Sequence, residues 1–336
     1  MKKRIITLLI TFLISQTLFG NFEKLNSYQA FLKKAQSGEK IRVCYLGGSI
    51  TVGAATAPRQ GTNRDGKPFD YTNYDVQKDS WRALTYEWLR KNFESKNGQF
   101  EHINVAIGAT TSELAAFRLK KHVLAYRPDF LFIEFAVNDA GKGMISAESP
   151  RFDRSIQRTM TNIIQRVRNQ NSDIAIFIPT STIRENRISR KKHWISMQKK
   201  SVAAHHRIAE LLRLPYIDIK TVFYEDPLSE GLERDRLFDG DENAGNFVHP
   251  SPQGHKAYAQ GVINLLDRIF KTGGFDFKEL YSSLGIDVVQ ALLEQAKALP
   301  WSVVWEEFCQ RNQVPGELSL LDTVKGYESS VLSGRQ

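Results

Sequence analysis

This chain has few cysteines and no second long apolar run, and each of these features excludes a class of protein. Only two cysteines occur among 336 residues, Cys44 and Cys309, too few for the disulfide framework of a small secreted domain. Beyond residue 20, no run approaches the roughly 20 apolar residues that a membrane-spanning helix needs. With 41% hydrophobic and 25% charged residues, the chain is typical of a globular protein of one or two domains.

The first 20 residues differ in composition from the rest. Lys2, Lys3 and Arg4 precede an apolar run that ends at the small residue Gly20. This order predicts a secretory signal peptide over residues 1–20, and therefore a periplasmic or secreted protein. An uncleaved N-terminal anchor is the alternative, and it too places the folded part outside the cytoplasm.

Positive charge is in moderate excess, with a formal net charge of +9 at pH 7. Much of it lies in one cluster, residues 184–200, which is interpreted either as a solvated helix start and loop or as a patch that attracts a polyanion such as an acidic polysaccharide. The chain contains no recognisable nucleic-acid-binding motif, so no nucleic-acid partner is expected.

Predicted strands and helices alternate along most of the chain. The strands are IRVCYLG, HINVAIG, DFLFIEFAV, DIAIFIPT and PYIDI, and the helices between and after them are SWRALTYEWLRKNF, SELAAFRLKKHVLAY, SIQRTMTNIIQRVRNQ, SMQKKSVAAHHRIAELLR and GHKAYAQGVINLLDRIF. Such alternation predicts an α/β domain, over residues 21–272, with a parallel sheet covered by helices on both faces. Residues 273–336 are predicted to form a helical C-terminal extension outside the sheet.

Polar residues and glycines at the ends of these strands have the chemistry of acyl transfer. Ser49 follows the first strand, Gly108 and Asn138 follow the second and third, and His249 precedes the last helix. A serine hydroxyl needs an adjacent base to act as nucleophile, and His249 is the candidate. The amides of Ser49 and Gly108 and the side chain of Asn138 are candidates for an oxyanion hole. Because parallel strands end at one edge of the sheet, the four residues are expected to converge there.

The same residues carry a resemblance to the SGNH (GDSL-type) hydrolases. LGGSIT, NVAIGATTS, AVND and FVHPSPQGH resemble the four motif blocks of that family in order, with Ser49, Gly108, Asn138 and His249 at the family's site positions. The resemblance implies a three-layer α/β/α, flavodoxin-like fold, a serine esterase activity, and no metal or cofactor. It covers residues 40–270.

Three positions depart from the family pattern. Gly48 stands where many members have aspartate, and Ala136 where the third block usually has glycine. Asn246 stands where the family places its triad acid, three residues before the histidine. An asparagine can orient an imidazole without stabilising its charge, and the same change in a serine protease costs about 10⁴ in rate. Asn246 is therefore assigned as an orienting group, with Asp241 as the substitute to test.

Other polar residues near these motifs receive structural interpretations. Asp139 is expected to organise a turn. His205 and His206 lie side by side in a predicted helix, where neighbours point about 100° apart, so they are interpreted as residues of a surface helix and not as joint ligands. His255 is interpreted as a packing or capping residue.

A long polar loop, residues 58–81, contains aromatic residues that suit sugar rings. Tyr71, Tyr74 and Trp81 are the candidates for substrate contact. At the other end of the chain, the residues from Leu299 onward resemble the tail of L-rhamnose isomerase. None of them matches a metal-binding motif of that enzyme, so isomerase activity is not implied.

Two functional hypotheses follow. In the first, the protein is an exported serine esterase that removes acetyl or similar groups from a carbohydrate or another small ester, with Ser49 as nucleophile and His249 as base. In the second, the departure at Asn246 has cost the site its catalysis, and the protein is a weakly active or inactive relative that binds glycans.

Overall fold

The computed structural model describes residues 22–54, 60–62, 68–70, 73–142, 149, 151–180, 192–218 and 249–276. The predicted signal peptide, Tyr71, Asp241, Asn246 and the C-terminal extension beyond Asp276 lie outside these residues.

The described residues form nine strands, eight α-helices and one 3₁₀ helix. The strands are β1 (Phe22–Lys24), β2 (Lys40–Gly47), β3 (Gln60–Thr62), β4 (Pro68–Asp70), β5 (Gln99–Asn104), β6 (Phe130–Glu134), β7 (Ala175–Thr180), β8 (Tyr216–Asp218) and β9 (Gly274–Asp276). The helices are α1 (Asn26–Gln36), α2 (Ser49–Val52), α3 (Trp81–Phe93), α4 (Ser112–His122), α5 (Ala136–Lys142), α6 (Phe152–Gln170), α7 (Lys192–Leu211) and α8 (Pro252–Thr272), and the 3₁₀ helix is Leu124–Tyr126.

The central sheet has five parallel strands in the order β5-β2-β6-β7-β8. Numbered along the chain, these strands have the order 2-1-3-4-5, which is the flavodoxin-like arrangement. The predicted α/β class and the parallel sheet are confirmed. Two short antiparallel pairs, β1 with β9 and β3 with β4, lie outside this sheet.

Two apolar cores lie on opposite faces of the central sheet, which makes three layers. Alternate residues of β2 and β6 face opposite sides, so that Tyr45 and Phe132 join one core while Leu46 and Ile133 join the other. The first core packs against α1, α3 and α8, and the second against α4, α6 and α7. Cys44 is fully buried in the second core, as its apolar neighbours in the sequence predict.

Three local predictions were wrong. The second strand was predicted to run from His102 to Gly108, but β5 spans Gln99–Asn104 and Gly108 lies in the loop after it. The third strand was predicted to continue to Val137, but β6 ends at Glu134 and Asn138 lies in the short helix α5. Residues 274–276 were predicted to be helical, but they form β9, which pairs with the first strand of the described chain. Within the described residues, none of the helices has the length and apolar composition needed to cross a membrane.

Candidate active site

Ser49 lies on a sharp turn between a buried strand and a short helix. β2 ends at Gly47, and Ser49 is the first residue of α2. Gly47 is in close contact with its surroundings, since a Cβ there would lie 2.8 Å from the carbonyl oxygen of Glu134 and closer still to Thr51. The turn closes at Gly53, whose φ of +100° favours glycine. Ser49 itself is partly exposed while its neighbours Gly48 and Ile50 are buried, so its hydroxyl is displayed at the end of the strand.

His249 meets the serine directly. Its Nε2 lies 2.7 Å from the Ser49 Oγ. Two residues later, the Ser251 side chain accepts a hydrogen bond from the Gly254 amide and caps α8, which begins at Pro252. A serine N-cap followed by proline is a strong helix start signal. The chain is therefore anchored just after His249, and a serine hydroxyl within hydrogen-bond reach of an imidazole is the arrangement needed to activate it.

The loop after β5 brings Gly108 alongside the turn formed by residues 47–54, the nucleophile turn, named for the candidate nucleophile Ser49. The Ile107 amide donates to the Gly47 carbonyl at 3.0 Å. Ile107 immediately precedes Gly108, and Gly47 lies two residues before Ser49. Ala109 has a φ of +59°, a conformation that a non-glycine residue adopts only when its surroundings hold it. The sequence therefore correctly predicted that the ends of these strands meet.

Asn138 reaches the same place from α5. Its Nδ2 donates to the Thr110 carbonyl at 2.9 Å, and a Cβ built on Gly48 would lie 2.5 Å from this nitrogen. An amide nitrogen carries two hydrogens, so one remains beyond the bond to Thr110. A side chain larger than that of glycine at position 48 would therefore require the Asn138 amide to move.

Side chains from outside the turn bond five successive carbonyl groups in and just after α2. Trp81 Nε1 donates to Ile50, Arg82 Nε to Thr51 and Arg82 Nη2 to Val52. The carbonyls of Gly53 and Ala54 meet the Tyr74 hydroxyl and the His255 Nε2, respectively. The Ile50 carbonyl also accepts from the Gly53 amide, but a helix of four residues cannot supply backbone partners for its last carbonyl groups, so the side-chain bonds help to fix the backbone that carries Ser49.

Arg82 was missed by the sequence reasoning. Its side chain is fully buried, and it also donates to His102 Nε2 at 2.9 Å. Burial, followed by the adjacent Arg82 charge, lowers the pKa of His102 to about 3, so the ring is neutral and can accept this bond. The sequence signal that could have pointed to Arg82 was its position beside Trp81, on the side of the predicted helix that faces the sheet.

Trp81 is buried in the core and does not lie where it could contact a substrate. Its side chain is 0% exposed and packs between Tyr45, Phe132 and Tyr258, with ring centroids 4.7–6.0 Å away. A buried indole offers no surface to a sugar, so the prediction of substrate contact was wrong for Trp81, which supports the turn from beneath. Tyr74 is partly exposed and stacks on His255 at 5.7 Å.

His255 is fully buried, and its bonds agree with its interpretation as a packing residue. Its Nδ1 accepts from the Trp81 amide at 3.4 Å, while its Nε2 lies 3.1 Å from the Ala54 carbonyl. Burial, the largest cause, lowers its pKa to about 4. A neutral ring protonated on Nε2 satisfies both partners.

Two carboxylates flank Asn138, and both are buried. Glu134 accepts from the Thr51 hydroxyl at 2.9 Å. Asp139 accepts from the Ser112 amide at 2.7 Å and meets His205 Nε2 at 2.8 Å. His205 is 0% exposed, so the surface interpretation of this histidine was wrong. Its neighbour His206 bonds Thr180 instead, which agrees with the expectation that the two are not joint ligands.

No group of three or more His, Cys, Asp or Glu side chains in the described part of the chain is placed to hold a metal ion.

Solved structures with the same fold include a two-domain esterase active on acetylated mannans. Co-crystallised with mannopentaose, it matches this chain with a TM-score of 0.54 and 21% identity, over 77% of this chain and 57% of the esterase. A second structure of such an esterase gives the same TM-score with 22% identity, over 78% of this chain and 56% of that one. This chain therefore spans a little over half of the esterase's length, and the likeness shows the shared fold.

The C-terminal region has a separate relationship. A model of L-rhamnose isomerase matches residues 265–335. L-rhamnose isomerase from Yersinia pestis (strain Pestoides F) is 53% identical over 45 residues, which is 13% of this chain and 11% of the isomerase. The predicted resemblance of the tail is confirmed, and it extends over only a small part of that enzyme.

Most of the described domain falls within one family. The model of the GDSL-like Lipase/Acylhydrolase family matches residues 45–257, a span that contains Ser49, Gly108, Asn138 and His249. The strand-end convergence of these residues and the flavodoxin-like sheet agree with this match. The chain therefore belongs to the GDSL-like Lipase/Acylhydrolase family.

Proposed function

We propose that the protein is an exported esterase that removes acetyl groups from a carbohydrate through a Ser49–His249 site. The observation that carries the proposal is the 2.7 Å contact between Ser49 Oγ and His249 Nε2, made by two partly exposed side chains at the carboxyl edge of the sheet. The carbohydrate class rests on the acetylated mannans of the esterase with the same fold.

In the proposed reaction, Ser49 Oγ attacks the carbonyl carbon of the ester while His249 Nε2 takes the hydroxyl proton. The amides of Ser49 and Gly108 and the Asn138 Nδ2 donate to the developing oxyanion. His249 then returns the proton to the departing sugar oxygen. Water, deprotonated by the same imidazole, hydrolyses the acyl-enzyme and releases acetate and Ser49.

The group that orients His249 is also a proposal. We infer that Asn246 accepts from His249 Nδ1, with Asp241 as the competing partner. Kinetics of Asn246→Ala and Asp241→Ala separate the two. If Asn246 orients the ring, its variant loses most of the turnover and the Asp241 variant keeps it, while the reverse result assigns the role to Asp241.

Tyr71 and Tyr74 are proposed to contact the sugar. Tyr74 bonds the Gly53 carbonyl at 2.7 Å and stacks on His255, so its ring lies beside the nucleophile turn. Leu substitutions at the two positions, which remove the aromatic ring, are expected to raise KM for an acetylated oligosaccharide more than KM for p-nitrophenyl acetate. Equal effects on both substrates would contradict a sugar contact.

The central test compares wild type with Ser49→Ala on acetylated mannan, acetylated xylan and p-nitrophenyl acetate. Acetate release is expected from wild type alone, with a higher kcat/KM on a polysaccharide. A fluorophosphonate probe should label Ser49 covalently, because activation of the serine does not depend on the identity of the substrate. Absence of labelling together with retained glycan binding would favour the second hypothesis, an inactive relative that binds carbohydrate.

Export is proposed from the N-terminal residues alone. Expression of the full chain in a bacterial host, followed by fractionation and N-terminal sequencing, is expected to give a periplasmic or secreted form that begins near residue 21. A membrane-bound form that retains residue 1 would instead identify an uncleaved anchor.

A further inference from the structure

A buried ionisable pair lies directly behind the proposed oxyanion hole. Asp139 follows Asn138 on α5, and its Oδ2 lies 2.8 Å from Nε2 of His205 on α7. Both side chains are 0% exposed. Burial of a carboxylate is costly unless hydrogen bonds compensate it, so a position of this kind calls for a reason beyond packing.

The second oxygen of Asp139 bonds the loop that carries Gly108. Asp139 Oδ1 accepts from the backbone amide of Ser112, the first residue of α4, at 2.7 Å. Ser112 ends the loop that leaves β5, and Gly108 lies four residues before it. One carboxylate therefore ties the start of α4 to α5 and α7.

The bonds inside this loop make it a single unit. The Thr110 hydroxyl donates to the Ile107 carbonyl at 2.7 Å, and the Thr110 carbonyl accepts from Asn138 Nδ2. Ala109, between Ile107 and Thr110, has a φ of +59°, a strained conformation that persists only when neighbouring structure determines it. The contacts to Asn138 and Asp139 are two of the restraints on that backbone.

We propose that Asp139, oriented by His205, is a positioning residue that holds the Gly108 loop and Asn138 in register as oxyanion donors. This inference rests on the proposed esterase function. Asp139 acts through its neighbours: its carboxylate is bonded to Ser112 and His205, and the proposed oxyanion donors are Asn138 and the backbone amides of Ser49 and Gly108. His205 supplies the N–H that keeps the carboxylate turned toward Ser112.

A positioning role predicts a loss in kcat and little change in KM. Oxyanion donors act on the transition state more than on the bound substrate, and loss of one costs about 10²–10³ in kcat. Misplacement is a partial loss, so Asp139→Asn is expected to lower kcat about 5- to 50-fold with KM changed less than about twofold. Asn keeps an oxygen for Ser112 and is the gentlest change of the carboxylate.

A second pair of variants changes His205, the residue that donates to Asp139. His205→Gln keeps an N–H group that can reach Asp139, whereas His205→Leu removes it and leaves the carboxylate without that partner. The Gln variant is expected to retain several-fold more kcat than the Leu variant. Leu119→Ala is the control: Leu119 is buried on the same helix as Ser112, about two turns away, and its loss reduces core packing without touching the loop.

The experiment measures kcat, KM and melting temperature for all four variants in the full chain, together with deuterium exchange of residues 107–112. Faster exchange in Asp139→Asn than in Leu119→Ala, together with the kcat loss and the Gln rescue, supports the proposal. Unchanged exchange overturns it, as does a kcat loss no larger than that of Leu119→Ala.

The Ser49→Ala comparison tests the esterase function independently of the positioning role of Asp139. Equal activity of wild type and Ser49→Ala would contradict the Ser49–His249 site and leave the exchange measurement valid. In that case faster exchange at residues 107–112 still supports Asp139 as the group that fixes the loop, and unchanged exchange overturns it.

Discussion

At the scale of single residues, the site depends on close contacts that leave little room for substitution. Gly48 has an ordinary extended backbone, with φ −91° and ψ −154°, so its conformation does not require glycine. Space favours glycine, because a Cβ on Gly48 would lie 2.5 Å from the Asn138 amide nitrogen. A larger residue at position 48 would have to displace a side chain 90 positions away.

Gly48→Ala is expected to lower kcat about 10- to 100-fold, because the new methyl group pushes the Asn138 amide out of the proposed oxyanion hole. The matched test is a double-mutant cycle with Asn138→Ala, measured as kcat/KM on p-nitrophenyl acetate. In the Asn138→Ala background the Gly48 substitution should cost less than about threefold. Additive losses would show that Gly48 acts through something other than Asn138.

His255 gives a prediction for pH dependence. Its pKa is about 4 in the folded protein and about 6.5 in the unfolded chain. Between these values the unfolded chain binds the proton and the folded one does not, so the free energy of unfolding falls as the pH is lowered from about 6.5 to 4. The slope from this residue approaches 1.4 kcal/mol per pH unit.

His255→Gln should therefore make the free energy of unfolding, measured by urea titration from pH 4 to 7, less dependent on pH. His102 and His206, each with a pKa lowered to about 3, chiefly by burial, keep part of the dependence in the variant. An unchanged slope would mean that His255 is already protonated in the folded protein.

At the scale of elements, the nucleophile turn is supported from the start of the next helix. α2 has only four residues, too few to be stable alone, and the first two residues of α3 supply side-chain donors to three of its carbonyl groups. The N-cap Ser80, which accepts from Ala83, fixes where α3 begins and thus where Trp81 and Arg82 point. The start of one helix therefore determines the geometry of the other.

Arg82→Lys is expected to lower the free energy of unfolding by about 2–4 kcal/mol, since one ammonium group cannot reach all the acceptors and buried carbonyls are left unpaired. Fluorophosphonate labelling of Ser49 should slow as well. Arg90→Lys on the same helix is the control: Arg90 pairs with Glu87 and Glu94 on the partly exposed face, and its change should leave the free energy of unfolding nearly unchanged. Equal losses in the two variants would contradict a specific role for Arg82.

At the scale of the whole molecule, the sheet separates two independent cores. Phe31 and Phe130 meet edge to face in the first core, with centroids 5.4 Å apart, while Ile163 belongs to the second. The proposed site lies at the carboxyl edge of the sheet, where residues from both layers meet. Asp139 and His205 belong to the second layer, and Trp81, Arg82 and His255 to the first.

Because the sheet separates the two cores, the losses in free energy of unfolding from substitutions in different cores should add. Phe31→Leu and Ile163→Val, each costing about 1 kcal/mol, should be additive within about 0.5 kcal/mol. Phe31→Leu and Phe130→Leu should show a coupling of about 0.5–1.5 kcal/mol, because the first change removes the partner of the second. Urea denaturation of the single and double variants measures both cycles, and strong coupling across the sheet would contradict independent cores.

The sequence by itself determined the α/β alternation, the buried strands, the positions of Ser49, Gly108 and Asn138 after strands, and the position of His249 before the last helix. Apolar periodicity and turn residues are local properties, and parallel strands necessarily end at one edge. The family's motif order then predicted the convergence of Ser49 and His249, 200 residues apart.

Only the tertiary structure decided which side chains surround them. The burial of Trp81, the bonds of Arg82 to the nucleophile turn, the space at Gly48 and the pairing of Asp139 with His205 all depend on contacts between positions 27 to 174 residues apart or on different layers. Such contacts follow from how helices pack on the sheet, and the local sequence contains no record of that packing.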